Sequence, residues 1–340
     1  MTPFRWVLTF LSFATAVAAS VYVVASDWPA GGAPLGLPIW AHLMALGIVA
    51  FDITARTLKV QLSARAVHVP ITFRTALRVS LGGDFAASIT PSRSGAEPAR
   101  FLIMKESGYS VAEVLVVLFV ELLLELLSLI AFTIVFFALL DYSSSVLTAL
   151  VAMVGGFAAV TVAAGSVMVL MSRRNATGPP PHWATTIGIK AGAWRRLQRT
   201  LRHLRTSMTS LRRAKPLPMA AAYLCSLAHV FSRLMVLPLL VYAYGDRPPL
   251  APLLVWPLVL LYGSSAAPAP AGGGVVEMSF KAALGGHIPV QLLASSLIWW
   301  RVYTFYAYLL LGAMSAGRSV MRALRTDRDG ASINADDDAT

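Results

Sequence analysis

The stretch Thr90–Arg100, TPSRSGAEPAR, sets two prolines, a glycine, two arginines and a glutamate between long apolar runs. In hydrocarbon, a broken backbone carrying charge is costly unless protein or water shields it, which usually happens along a substrate path. A second stretch, Ala267–Glu277 (APAPAGGGVVE), is a weaker version of the same break in the other half of the chain. Two such interruptions, one per half, point to a transporter-like binding region.

Composition sets the surroundings of these breaks. The chain has 340 residues, 57% of them hydrophobic and 13% charged. A soluble domain carries about 25% charged residues, so this chain cannot cover a water-facing surface of ordinary polarity. Apolar runs of about 20 residues, long enough to span a bilayer, recur along it. The short alternating segments of a β-barrel are missing. The reading is an all-α, polytopic helical membrane protein.

Full crossings are expected at Val7–Ser26, Ile39–Ala55, Val111–Leu140, Val146–Met171, Leu217–Ala243 and Pro289–Ser315. The first is expected as an uncleaved helix, because Val7–Ala25 exceeds a signal peptide's apolar core. Basic residues then orient the set. Residues 56–78 carry Arg56, Lys59, Arg65, Arg74 and Arg78, residues 172–215 carry eleven basic residues and no acidic one, and Arg318, Arg322, Arg325 and Arg328 follow the last crossing. All three segments are expected on the cytoplasmic side, with both termini.

That orientation leaves Ser80–Lys105 and Leu250–Ile288, each beginning and ending on one side. Both are expected as re-entrant hairpins, one from each face, with the Pro/Gly break at the tip; full crossings are the alternative. Glu97 and Glu121 stand 24 residues apart, as do Glu277 and Arg301, which suggests an inverted repeat. Residues 1–326 form one membrane domain by this reading, and 327–340 an acidic, disordered tail.

Within residues 172–215, Trp194, Leu197, Leu201, Leu204, Met208 and Leu211 recur every three or four positions, and arginines 195, 196, 199, 202 and 205 fill much of the rest. The pattern predicts an amphipathic helix on the anionic leaflet, not a nucleic-acid site.

Charges inside the apolar helices are the candidate site residues. Glu113, Glu121 and Glu125 share one helical face, at roughly 100° per residue. Arg233 and Arg301 lie in the fifth and last crossings. Buried charges of this kind pair with one another, either to fix helix packing or to line a polar path. In the first hairpin Arg93 and Arg100 suit a phosphate, Glu97 a cationic group, and Asp84 in the entering arm requires a partner. In the second, Gly272–Gly274 permits close backbone approach, with Glu277 and Lys281 following. The candidate binding set is Asp84, Arg93, Glu97, Arg100, Glu121, Glu125, Glu277, Lys281 and Arg301.

No catalytic constellation emerges. Residues 272–274 lack the lysine and hydroxyl of a phosphate-binding loop, and the six histidines show no paired metal spacing. Cys225 stands alone, so no intrachain disulfide forms. The sequence nominates no metal, no cofactor and no enzyme activity.

The first break and the long helix after it resemble the membrane domain of lysylphosphatidylglycerol synthases, the flippase-like family. Its Pro-x-Arg-x-Gly-Glu-x-x-Arg pattern maps onto Pro91, Arg93, Gly95, Glu97 and Arg100. Its later Pro-Gly-Gly-x-Gly-x-x-Glu maps onto Pro270, Gly272, Gly274 and Glu277. Glu121 and Arg301 fall where that family tends to carry charges. The likeness covers roughly residues 5–320. Ala96 is inserted between the glycine and the glutamate, and Asp84 replaces an expected asparagine-like residue.

The resemblance implies the lipid-handling part alone, without the aminoacyl-transferase domain. The expected function is a flippase or transporter in the bacterial inner membrane for a phospholipid, polyprenyl-linked or hopanoid-type lipid. Rival readings are a non-transporting anchor for a lipid-biosynthesis enzyme partner and an intramembrane lipid-modifying enzyme.

Overall fold

The computed structural model describes residues 36–139, 144–173, 191–264 and 272–315, with helical positions at Ala14, Ala18, Val21, Tyr22, Val24 and Ala25. Most of the expected first crossing, the second break at Pro268 and Pro270, residues 174–190 and the acidic tail lie outside the described residues.

Ten helices follow in order among those described: α1 (Ile39–Ala66), α2 (Phe73–Ile89), α3 (Ala96–Glu106), α4 (Val111–Leu139), α5 (Ser144–Arg173), α6 (Ala191–Arg212), α7 (Pro216–Ala243), α8 (Leu250–Gly263), α9 (Val275–Leu284) and α10 (Val290–Arg301). A π-turn at Val302–Tyr306 continues α10 into helical residues 307–315. No β-strand occurs among the described residues.

The protein is an all-α membrane protein. Val111–Ala138, Thr148–Met171 and Pro216–Ala243 are long and apolar enough to cross a bilayer. Apolar side chains also face outward along the helices, among them Leu43, Phe51, Ile134, Val162, Leu170, Phe231 and Leu310. Such faces would be unfavourable in water and are ordinary against lipid tails.

Both expected breaks separate two packed helices. The first divides α2 from α3 and the second α8 from α9, and the arms of each pair lie against one another. One boundary differs from expectation. The crossing expected to stop at Ala55 is the front of a single helix running to Ala66. Arg56 and Lys59, counted in sequence as loop charges, sit inside it in buried ion pairs. Attraction to carboxylates on neighbouring helices outweighs the preference of isolated basic residues for the interface.

α1 and α7 share the most extensive contact, and the apolar core divides along them. One cluster gathers Val60 and Ala64 of α1 with α2, α3, α4 and Ala222 of α7. Another gathers Ala41, Ala45 and Val49 of α1 with Val236–Val241 of α7, α8, α9 and α10. Between Val49 and Val60 the axis of α1 advances about 16 Å. That interval holds Asp52, Arg56 and Lys59 opposite His229 and Arg233 of α7, a charged layer between two oily ones.

α6 takes the amphipathic form expected of it and packs on α4 and α5. Leu201 and Gln198 are buried, whereas Arg195, Arg199, Arg202 and Arg205 are exposed. The described part of its apolar stripe therefore meets protein, leaving the basic face outward.

Candidate functional site

The first break positions the site. Thr90 Oγ1 donates to the Ala86 carbonyl at 2.7 Å and accepts from the Gly95 amide at 2.9 Å, tying the end of α2 to the start of α3. Ser94 N donates back to the Pro91 carbonyl at 3.0 Å. This tight loop holds Ser92 and Arg93 at φ 51° and 56°. Left-handed backbone costs a non-glycine residue roughly 1–2 kcal/mol, and such strain concentrates at binding and switching sites. Gly83 lets the arms close: a Cβ there would stand 2.7 Å from Arg100 Cγ.

A cavity of about 220 Å³ opens against this loop, lined chiefly by charged side chains of α1, α2, α3, α4 and α7, with Tyr262 of α8 and Phe157 of α5. Six of the nine candidate residues line it: Asp84, Arg93, Glu97, Arg100, Glu121 and Glu125. The Arg56 guanidinium donates to both oxygens of Asp84, at 2.8 and 2.5 Å, supplying the partner Asp84 required. Arg100 donates to Glu121 and, at 3.1 Å, to Glu97. Lys59 donates to Glu125, which also accepts from the Tyr262 hydroxyl at 2.5 Å.

Behind the wall, Asp52 is fully buried. It lies 3.2 Å from Arg56 Nε, 3.4 Å from Arg233 Nε and 2.5 Å from His229 Nδ1. Arg56 and Arg233 both stack over the Tyr308 ring, at 5.1 and 4.6 Å from its centre. Buried charges this densely placed offset one another, although Asp52 Oδ2, Arg56 Nε and Arg233 Nε make no hydrogen bond among the described residues. Two further groups are incompletely paired. Arg93 has no carboxylate within ion-pair distance among the described residues, and Glu121 Oε1 is buried with no hydrogen-bond partner there.

Glu277, Arg301 and Lys281 do not line this cavity. Arg301 Nε and Nη2 both lie 2.8 Å from Glu277 Oε1, forming a buried pair between α9 and α10, and Arg301 stacks on Phe305 at 4.9 Å. Lys281 lies on the exposed side of α9. Glu113 belongs to a helix cap: it accepts from the Ser110 amide at 2.8 Å, and its own amide donates to Ser110 Oγ at 3.2 Å. Among the described residues no group of three His, Cys, Asp or Glu side chains is arranged to hold a metal.

Sequence reading missed Asp52, Arg56, Lys59, His229 and Tyr262 as members of the site. Asp52, Arg56 and Lys59 carried a usable signal, since positions four and seven residues on share one helical face.

The fold and the cavity define a helical membrane protein whose interior holds a charge-lined pocket beside a proline–glycine hairpin. Residues 7–312 match the family model of the lysylphosphatidylglycerol synthase TM region. The chain belongs to that family, which carries a membrane lipid-related role. Comparison with curated proteins finds no match.

Proposed function

We propose that the cavity receives the polar headgroup of an amphiphilic lipid, and that the protein moves or presents this lipid across the membrane without altering it chemically. The observation that carries the reading is Arg93, a cation on strained backbone that faces the cavity with no carboxylate within pairing distance among the described residues. A guanidinium there suits a phosphate oxygen pair. Glu97, with 58% of its side chain exposed, lines the same cavity and suits a cationic part of the headgroup. A space of about 220 Å³ takes a headgroup but not acyl chains. The tails would stay against the outward apolar faces.

The basic segments and the positive-inside tendency favour both termini on the cytoplasmic side of a bacterial inner membrane, where the exposed arginines of α6 meet the anionic leaflet. No nucleotide-binding motif accompanies the site, so movement is passive, ion-coupled or driven by a partner.

Reconstitution into liposomes with fluorescent phospholipid on one leaflet tests the reading. Exchange between leaflets is expected in the wild type and lost in Arg93→Gln and Glu97→Gln. Exchange unaffected by both substitutions overturns it. Recovery of chemically altered lipid assigns the cavity to an enzyme, and a lipid-biosynthesis enzyme co-purifying with an inactive chain assigns it to an anchor.

A further inference from the structure

His229 sits between two carboxylates. Its Nδ1 lies 2.5 Å from Asp52 Oδ1 of α1 and its Nε2 lies 3.2 Å from Glu125 Oε1 of α4. A neutral imidazole has one N–H and can satisfy one acceptor; the other nitrogen would turn a lone pair toward a carboxylate oxygen. Satisfying both contacts takes one further proton, held on the ring or shared with a flanking acid.

The surroundings define what that proton does. α1 presents Asp52, Arg56 and Lys59, α4 presents Glu121 and Glu125, and α7 itself presents Arg233. α8 contributes Tyr262, and Tyr308 follows the π-turn. α10 also packs on α7, but its Arg301 is committed to Glu277. Around the cavity, Asp52, Asp84, Glu97, Glu121 and Glu125 balance Arg56, Lys59, Arg93, Arg100 and Arg233. With His229 neutral the set sums to zero; with the proton it carries one positive charge. A buried net charge is unfavourable until something offsets it. An anionic headgroup at Arg93 restores neutrality, and His229 itself lines the cavity.

We propose that His229 is a proton-loading site that couples occupancy of the cavity by an anionic headgroup to proton uptake. The proposal rests on the cavity being a headgroup site and supplies the ion for its coupling. Linkage makes the effect reciprocal: the proton strengthens anion binding, and the anion strengthens proton binding by the same factor. Loss of the proton breaks one of the two contacts His229 makes to α1 and α4, so the step also loosens that side of the cavity wall.

The test uses the full chain in liposomes containing fluorescent phosphatidylglycerol or phosphatidylcholine, with leaflet exchange followed across the neutral pH range. Phosphatidylglycerol exchange is expected to slow about tenfold per pH unit above the titration of the site, the slope of a one-proton requirement. Phosphatidylcholine is expected to depend less on pH, and His229→Gln to flatten the phosphatidylglycerol profile. A wild-type profile indifferent to pH, or the same slope in His229→Gln, overturns the proton site and leaves the transport reading standing. Absence of exchange for either lipid overturns the transport reading instead. In that event, or if the variant does not fold, NMR on isotope-labelled histidine in lipid nanodiscs decides, with His229 identified through its contact with labelled Asp52. Two protonated ring nitrogens, persisting to higher pH with phosphatidylglycerol than with phosphatidylcholine, support the proposal. A single protonated nitrogen, or identical titration in both lipids, refutes it.

Discussion

In the first hairpin, Glu97 opens α3 with 58% of its side chain exposed and shares Arg100 with Glu121, 24 residues further on. In the second, Glu277 opens α9 with 2% exposed and meets Arg301, also 24 residues on, in a closed pair. Each hairpin thus brings a first-turn acid toward a charge on the next long helix. One arrangement is open, linked to α1, α2 and α7, and beside a cavity. The other is a buried pair in which the arginine also stacks on Phe305. The same spacing lines a cavity in one half and forms a buried pair in the other.

The contrast predicts unequal costs. Glu277→Gln removes the carboxylate paired with buried Arg301, a loss of about 3–5 kcal/mol. Glu97→Gln removes a solvent-screened contact and costs about 0–1 kcal/mol. Thermal unfolding in detergent compares them; equal losses would erase the distinction between fastening and site.

A smaller effect probes the arms. Gly83→Val drives a side chain into Arg100, 2.7 Å from the Cβ position, and overpacking of this kind costs about 1–3 kcal/mol. Gly286→Val in the second half meets nothing within 4 Å and should shift stability by about 0.5 kcal/mol or less. The same melts, with lipid exchange for Gly83→Val, sharpen the claim that the first hairpin depends on close approach.

The exits differ too. α4 starts with the Ser110–Glu113 cap, whereas α10 starts after Pro289 without a side-chain cap. Ser110→Ala should cost about 1 kcal/mol, read as a lower melting temperature with the exchange slope against pH unchanged. Arg93→Gln is expected to have the smallest stability effect, about 0.5 kcal/mol or less, while abolishing exchange. A large loss of stability would make Arg93 part of the fastening after all.

Much of this was legible in the sequence because it is local. The break at Pro91–Gly95 follows from proline and glycine chemistry, and its arms from the apolar runs around it. The six cavity residues named in advance belong to that hairpin or to one face of α4. The rest is non-local. Asp52 and His229 are 177 residues apart, and each alone looks like a stray polar residue in an apolar helix. Arg56 and Lys59 were harder still, because a basic residue near a helix end fits an interfacial role until its carboxylate partners are known. The spacing of Glu277 and Arg301 was legible only as a sign of an inverted repeat. That they close on each other, away from the cavity, depends on how α10 packs.

The π-turn at Val302–Tyr306 bears on that packing. A π-turn admits one residue beyond the α-helical count, and each residue rotates an α-helix by about 100°. Arg301, before the turn, therefore reaches Glu277, while Tyr308, after it, reaches Arg56 and Arg233. Were the turn to tighten into regular helix, the two anchorages would fall out of phase and one would have to let go. The widened turn thus sets the phase in which one helix meets both the fastened hairpin and the charged layer.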